Sequence, residues 1–117
     1  MDKLIYHLTS RLEWEQAQKA GVYSAPSLAA EGFIHCSTRA QVLDTAERYY
    51  HGRSGLVLLN IETARLKVDL RYEDSHQNGV FFPHIYGPLP LEAVAAVTPF
   101  PPRPDGLFDW PAEALSE

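Results

Sequence analysis

A single cysteine, Cys36, stands in the 117 residues, so no disulfide can form within the chain. That usage fits a reducing compartment. The opening Met-Asp-Lys-Leu-Ile-Tyr-His lacks the basic start and long apolar run of a secretory signal. No apolar stretch approaches the ~20 residues of a membrane-spanning helix. The expectation is a cytoplasmic protein without a membrane partner. Basic charge is scarce too: 10 Lys and Arg against 15 Asp and Glu leave a net charge of −5. Proteins that track a nucleic-acid backbone usually carry a basic surface, so nucleic acid is not the expected partner. A small anion held by local dipoles stays open. No internal repeat is present, and no His-x-x-x-His pair offers a local zinc site.

What is there suits one globular domain. The hydrophobic fraction is 45% and the charged fraction 21%, both ordinary values. Leu4 to Leu8 forms a short β run. Ser10 followed by Glu13 fits a capping box for a helix over 11–20, with Leu12, Trp14, Ala17 and Ala20 as its apolar stripe and Gly21 as its C-cap. Residues 22–31 are irregular, with one short turn over 27–31. Gly32 to Ser37 is a short apolar strand that runs into a helix start. Thr38 with Gln41 is a second capping box, and Val42, Leu43, Ala46, Tyr49 and Tyr50 recur as a buried helix face, ending near Gly52. Leu56 to Ile61 is a strand covered on both faces. Val68, Leu70 and Tyr72 alternate with polar residues in a half-exposed strand. Pro83 places the aromatic segment 80–88 at a sheet edge or in irregular structure, and Leu91 to Val97 is one more β run. The order predicts an α+β fold with two main helices, not a doubly wound sheet. Residues 1–98 form the domain and 99–117 a proline-rich tail, packed through Phe100, Leu107, Phe108 and Trp110 or trailing from it.

Three histidines lie inside apolar segments: His7, His35 and His84. An imidazole there needs a hydrogen-bond partner or a ligand. Each sits near a strand end beside Thr, Ser or Tyr hydroxyls, and converging ends would line one pocket. Three imidazoles could hold zinc, but ligands from three separate segments are a weak signature, and no metal is expected. Cys36 follows His35 directly, so the two side chains point to opposite faces of a strand and do not pair. A buried structural thiol is the plainer reading of Cys36. Histidine titrates near neutral pH and suits general acid–base work. Glu73 closes a strand and is either a solvated acid or a partner to an imidazole or a ribose hydroxyl. Ser37 and Thr38, at a helix start, are candidates to hold phosphate or a hydroxyl. Tyr6 and Tyr86 are candidates to border a flat ring. His51 and His76 lie among polar residues and are read as exposed.

Tyr6-His7, Tyr23-Ser-Ala-Pro-Ser-Leu28, Glu31-Gly-Phe-Ile-His-Cys-Ser37, Gln41-Val42, Glu73 and Phe82-Pro-His-Ile-Tyr-Gly-Pro-Leu89 together resemble the bacterial family known as domain of unknown function 952. The resemblance runs to about Val97 and leaves out the proline-rich tail. That family is similar in fold to the ADP-ribosyltransferases, which implies a strongly bent, split, mixed β-sheet with a cleft, and NAD or an ADP-ribose-like phosphorylated small molecule as ligand. By the same resemblance His7, on the first strand, would hold a ribose. His35, with Ser37 and Thr38, lies in the region of the middle-strand residue. The transferases carry a late Glu that stabilises positive charge on the ribose. Here the late motif carries His84, with Glu73 ahead of it. The resemblance therefore implies His7, His35, His84 and Glu73 as the catalytic set of an ADP-ribosyl transferase. The alternative is a non-catalytic ligand-binding module that has kept the fold and lost the Glu. RNA 2′-phosphotransferases share the fold, but this chain lacks an obvious set of arginines for that reaction.

Overall fold

The structure is a computed structural model that describes residues 2–117. It is α+β, with three helices and antiparallel sheets. The strands are β1 (Leu4–Ser10), β2 (Val22–Tyr23), β3 (Ile34–His35), β4 (Leu56–Glu62), β5 (Asp69–Glu73), β6 (Phe82–Tyr86), β7 (Leu89–Pro90) and β8 (Val94–Pro99). The helices are α1 (Arg11–Ala20), α2 (Pro26–Glu31) and α3 (Arg39–Tyr50). One sheet has the order β1-β4-β8, a second β3-β6-β5, and β2 pairs with β7. Every pairing is antiparallel, which corrects the expectation of a mixed sheet.

The first sheet is covered on both faces, and the period of two along its strands decides which side chain goes where. Ile5, Val57, Leu59 and Ile61 face a core that contains Trp14, Tyr23, Ile34 and Ile85. Tyr6, Leu8, Leu56 and Leu58 face the opposite way, onto Val42 and Ala46 of α3 and onto Phe100 and Phe108. The tail is thus part of the second core. Asn60, fully buried in β4, ties it down: its Oδ1 accepts from Leu115 N–H at 2.9 Å, and its amide donates to Thr98 Oγ1 at 3.0 Å. The Tyr6 hydroxyl donates to the Leu115 carbonyl at 2.6 Å.

The helix starts follow their capping residues. Ser10 Oγ accepts from Glu13 N–H at 3.0 Å, although the Glu13 carboxylate bonds the Thr9 hydroxyl rather than closing the box. Gln41 Oε1 accepts from Thr38 N–H at 3.0 Å. Within α1, Trp14 and Ala17 are buried while Leu12 points to solvent, so the stripe is narrower than its apolar residues suggest. Tyr49 on α3 is exposed as well. That helix ends at Tyr50, with His51 rather than Gly52 as its cap. Val22–Tyr23, in the segment read as irregular, pairs with β7. Leu91–Ala93 is a 3-10 turn that precedes β8, where one continuous strand was expected.

Pro83 lies in β6, the central strand of its sheet, not at an edge. The reason is local. A strand residue's N–H and C=O point to the same neighbour. The Pro83 carbonyl accepts from Cys36 N–H at 3.0 Å, so the donor it lacks would also have faced β3. The β5 side of the ladder is untouched, and β3 stops at His35. Released there, the chain crosses to the other sheet. Ser37 exchanges two backbone bonds with Tyr6, both 2.8 Å. Among the described residues this bridge is the sole backbone hydrogen-bonded join between the two larger sheets.

Candidate functional site

The crossing from β3 to α3 puts His35, Cys36 and Ser37 between the sheets, with His7 of β1 on one side and His84 of β6 on the other. The three histidines line one cleft of about 620 Å³. Phe33, Phe82, Tyr49 and Tyr50 supply aromatic walls, and Glu31, Ser37 and His76 supply polar ones.

His7 is fixed at both ring nitrogens. Its Nδ1 lies 2.5 Å from the His35 carbonyl and its Nε2 lies 2.7 Å from the Tyr23 hydroxyl. A carbonyl only accepts, so Nδ1 carries the hydrogen and the neutral ring receives the Tyr23 hydroxyl at Nε2. Thr9 Oγ1 lies 3.1 Å from the Tyr23 oxygen and donates to Glu13 Oε2 at 3.1 Å. Burial pulls the pKa of His7 down to about 4, against the opposing influence of the His35 carbonyl. His7 therefore orients the peptide that carries His35 and presents its ring, not a free nitrogen, to the cleft. Its protonation couples to folding. The unfolded ring binds a proton below about 6.5, the folded one only near 4, so stability is highest above pH 6.5 and falls as the pH drops toward 4. The full loss is up to about 3 kcal/mol by the size of that shift. Chemical denaturation at pH 7.5 and 4.5 is expected to show this fall in the native chain and a smaller one in His7→Gln; equal falls would remove His7 as the cause.

His84 is 2% exposed and its Nδ1 lies 2.8 Å from Glu73 Oε1. The carboxylate accepts, so Nδ1 carries a hydrogen, and in the neutral ring Nε2 holds the lone pair. Among the described residues no buried side-chain nitrogen or oxygen lacks a partner. Nε2 makes no hydrogen bond, so it is the part of the ring open to the cleft. Phe33 stacks on the ring, with centroids 4.1 Å apart and planes 20° apart. The Tyr86 hydroxyl donates to the same Glu73 oxygen at 2.5 Å, and the Arg71 guanidinium lies over the Tyr86 ring at 4.4 Å. Hydrogen bonds from Tyr86 and then His84 hold the Glu73 carboxyl below its ordinary pKa, so it stays ionised behind the imidazole.

His35 is half exposed. Its Nε2 lies 2.6 Å from Glu31 Oε2, across the end of α2, and its Nδ1 makes no hydrogen bond among the described residues. Its ring lies 5.2 Å from that of His84, at 78°. The cleft thus holds two histidines with an open nitrogen, each backed by a carboxylate.

The other sequence candidates fall around this centre. Ser37 lines the cleft, but its N–H is spent on Tyr6 and its hydroxyl on Thr45 Oγ1 at 3.3 Å. Thr38 is not on the wall, and its N–H is taken by Gln41. Glu73 and Tyr86 stand behind His84 rather than in the cleft. Cys36 is buried on the wall, and desolvation raises its thiol pKa, so the thiolate is disfavoured. No group of three or more His, Cys, Asp or Glu side chains among the described residues is placed to hold a metal ion. Sequence reasoning missed Glu31, Phe33 and Tyr23 as partners of the histidines, and His76 as a cleft residue. It also missed a smaller pocket of about 260 Å³ that shares His7, Leu8, His35 and Tyr50 with the cleft and adds Glu13 and Arg53. Glu31 precedes His35 by four residues, the one signal that pointed to their pairing.

The family described as protein of unknown function (DUF952) matches residues 8–97. Two crystal structures of protein CC0527 from Caulobacter crescentus, one a double mutant, are each 36% identical to this chain, with a TM-score of 0.82. Each match covers 91% of this chain and 93% of the other. The solution NMR structure of CC0527 gives 37% identity and a TM-score of 0.78, covering 90% of both chains. No curated protein matches the chain.

Proposed function

The chain belongs to the DUF952 family, described only as proteins of unknown function, and on that premise we propose that it binds NAD or an ADP-ribose-like phosphorylated small molecule in the histidine-lined cleft and acts on its ribose as an ADP-ribosyl transferase. The observation that carries the reading is the convergence of His7, His35 and His84 on one cleft, with the open nitrogen of His84 backed by Glu73. The residues present suit such a ligand. The volume lies within the ~300–1,000 Å³ of small-molecule sites. Phe33, Phe82 and Tyr49 offer faces for a flat ring. Among the described residues no Lys or Arg lines the cleft itself, and the cation for a phosphate is Arg53 in the adjoining pocket. NAD, when bound, supplies a ribose carbon that is activated by its nicotinamide leaving group. His84 Nε2 is the acceptor for the proton of an attacking hydroxyl, and Glu73 holds the ring in that tautomer. His7 and Tyr23 fix the peptide on which His35 is carried.

One observation favours a second reading, a binding module without turnover. Glu73 is engaged by His84 and Tyr86, and Glu31 by His35, so neither carboxylate is free to face positive charge on a ribose. Its mark is affinity with no product.

Titration of the ¹⁵N-labelled protein with NAD, ADP-ribose and nicotinamide is expected to shift the signals of Phe33, His35 and His84 together. An unmoved spectrum at millimolar ligand overturns the nucleotide reading.

A further inference from the structure

The cleft holds more proton-transfer machinery than the loss of nicotinamide requires. Nicotinamide leaves NAD as a neutral pyridine and takes no proton with it, so one histidine, receiving the proton of the incoming hydroxyl, suffices. Here two stand side by side. His84 is buried, with Nδ1–H on Glu73 and Nε2 open; His35 is half exposed, with Nε2–H on Glu31 and Nδ1 open. Their rings are 5.2 Å apart on one wall. A second proton-carrying group has a use when the leaving group departs as an alkoxide, which must be protonated as its bond breaks.

We infer that the cleft hydrolyses an oxygen-linked riboside, in which the anomeric carbon of ribose or ADP-ribose is joined to an alcohol, with His84 as the base and His35 as the acid. The inference rests on the reading of the cleft as a ribose site but not on NAD as its ligand. Water gives one proton to His84 Nε2 as its oxygen bonds to the anomeric carbon. The bond from that carbon to the alcohol oxygen breaks, its electron pair stays on the oxygen, and the Nδ1–H of doubly protonated His35 passes to it. The products are the free sugar and the alcohol. Both rings then return to their starting states by exchange with solvent. Glu31 and Glu73 are positioning residues, each fixing which nitrogen of its histidine faces the substrate.

The step needs one ring neutral and the other protonated. Glu31 from α2, His7 from β1 and His84 from β6 stand around His35, Glu73 from β5 holds His84, with Tyr86 and Arg71 behind it, and His76 lines the same cleft.

The test compares ADP-ribose joined through its anomeric carbon to methanol and to p-nitrophenol, in both anomers, with release of free ADP-ribose as the readout. The native chain is expected to hydrolyse both. His35→Gln should slow the methyl substrate by at least about 100-fold and the p-nitrophenyl one far less, because p-nitrophenolate leaves without a proton. Glu31→Gln, at an exposed site, should also slow the methyl substrate more than the p-nitrophenyl one, because it frees the ring that delivers the proton. Equal losses on both substrates in His35→Gln and in Glu31→Gln overturn the acid role. Binding of ADP-ribose without hydrolysis of either substrate overturns this inference and leaves the ligand reading standing. Hydrolysis without binding of NAD does the reverse for NAD. Neither binding nor hydrolysis removes both.

Discussion

His84→Ala is expected to lower turnover by about 10²–10⁴-fold, the usual contribution of a positioned general base, while the chain stays folded. The substitution removes the buried imidazole whose Nδ1 is held by Glu73 and whose Nε2 is open to the cleft. Glu73 keeps its bond from Tyr86, so its carboxylate is not stranded. The space left beside Phe33 lies against a cleft that already admits solvent, so the cost in stability is expected near the ~1–3 kcal/mol of a lost polar contact. Rates with saturating ligand, read beside a thermal unfolding curve, check both halves of this. An unchanged rate in a folded His84→Ala protein would remove His84 from the chemistry. A lost rate with lost folding calls for His84→Gln as the second variant, which fills the space without supplying a base.

The largest effect on stability is expected in the tail. Phe108→Ala should cost about 3–5 kcal/mol, the range for a buried phenylalanine cut back to alanine, out of a total that for domains of this kind is about 5–15 kcal/mol. Phe108 is 2% exposed and stacks on Phe100 with ring centroids 4.9 Å apart. Both close the same core as Tyr6, Leu8 and Leu58, which also form part of the cleft wall. Loss of Phe108 should therefore loosen the floor of the cleft and lower ligand affinity along with stability. A denaturation midpoint that moves by less than the scatter of the measurement would show that the proline-rich segment merely lies on the domain.

That role of the tail was only half legible in the sequence. Phe100, Phe108 and Trp110 marked where it could pack, but prolines at 101, 102 and 104 hid the fact that a chain without regular structure can still be anchored. The anchor is Asn60, a polar residue inside an apolar strand run, whose partner Leu115 is 55 residues away. Local pattern served well where local physics decides. The capping residues at Ser10 and Thr38 gave both long helices their starts, and the apolar run 56–61 gave the doubly covered strand. It failed at Pro83, because the rule that sends proline to a sheet edge assumes that the neighbour its nitrogen faces needs the missing donor. Here that neighbour, β3, ends where the donor would be wanted.

The candidate site divides in the same way. The three histidines stood out because imidazoles in apolar segments demand partners, and the structure supplies them: Tyr23 for His7, Glu31 for His35, Glu73 for His84. The choice of partner turns on direction and distance, which spacing along the chain does not carry. Thus His7, read as a ribose ligand, has both nitrogens committed within the protein, whereas Glu31, given no role at the site, stands at the cleft. Thr38 and Ser37 carried the signature of a helix start that receives an anion, yet their N–H groups are consumed by Gln41 and Tyr6.

Three successive residues at the crossing each answer to a different element: the His35 carbonyl to His7, the Cys36 N–H to Pro83, and Ser37 to Tyr6. Loops ordinarily absorb added residues with little effect on the parts they connect. This connection has no slack to absorb one. A single insertion between Ile34 and Thr38 would displace one of the three contacts by about 3.3 Å, the rise of a strand residue, and turn the following side chains to the wrong faces. The spacing of this segment is therefore a fixed length of the fold, and drift in chain length has to be accommodated elsewhere, as in the polar stretch between Glu73 and Phe82.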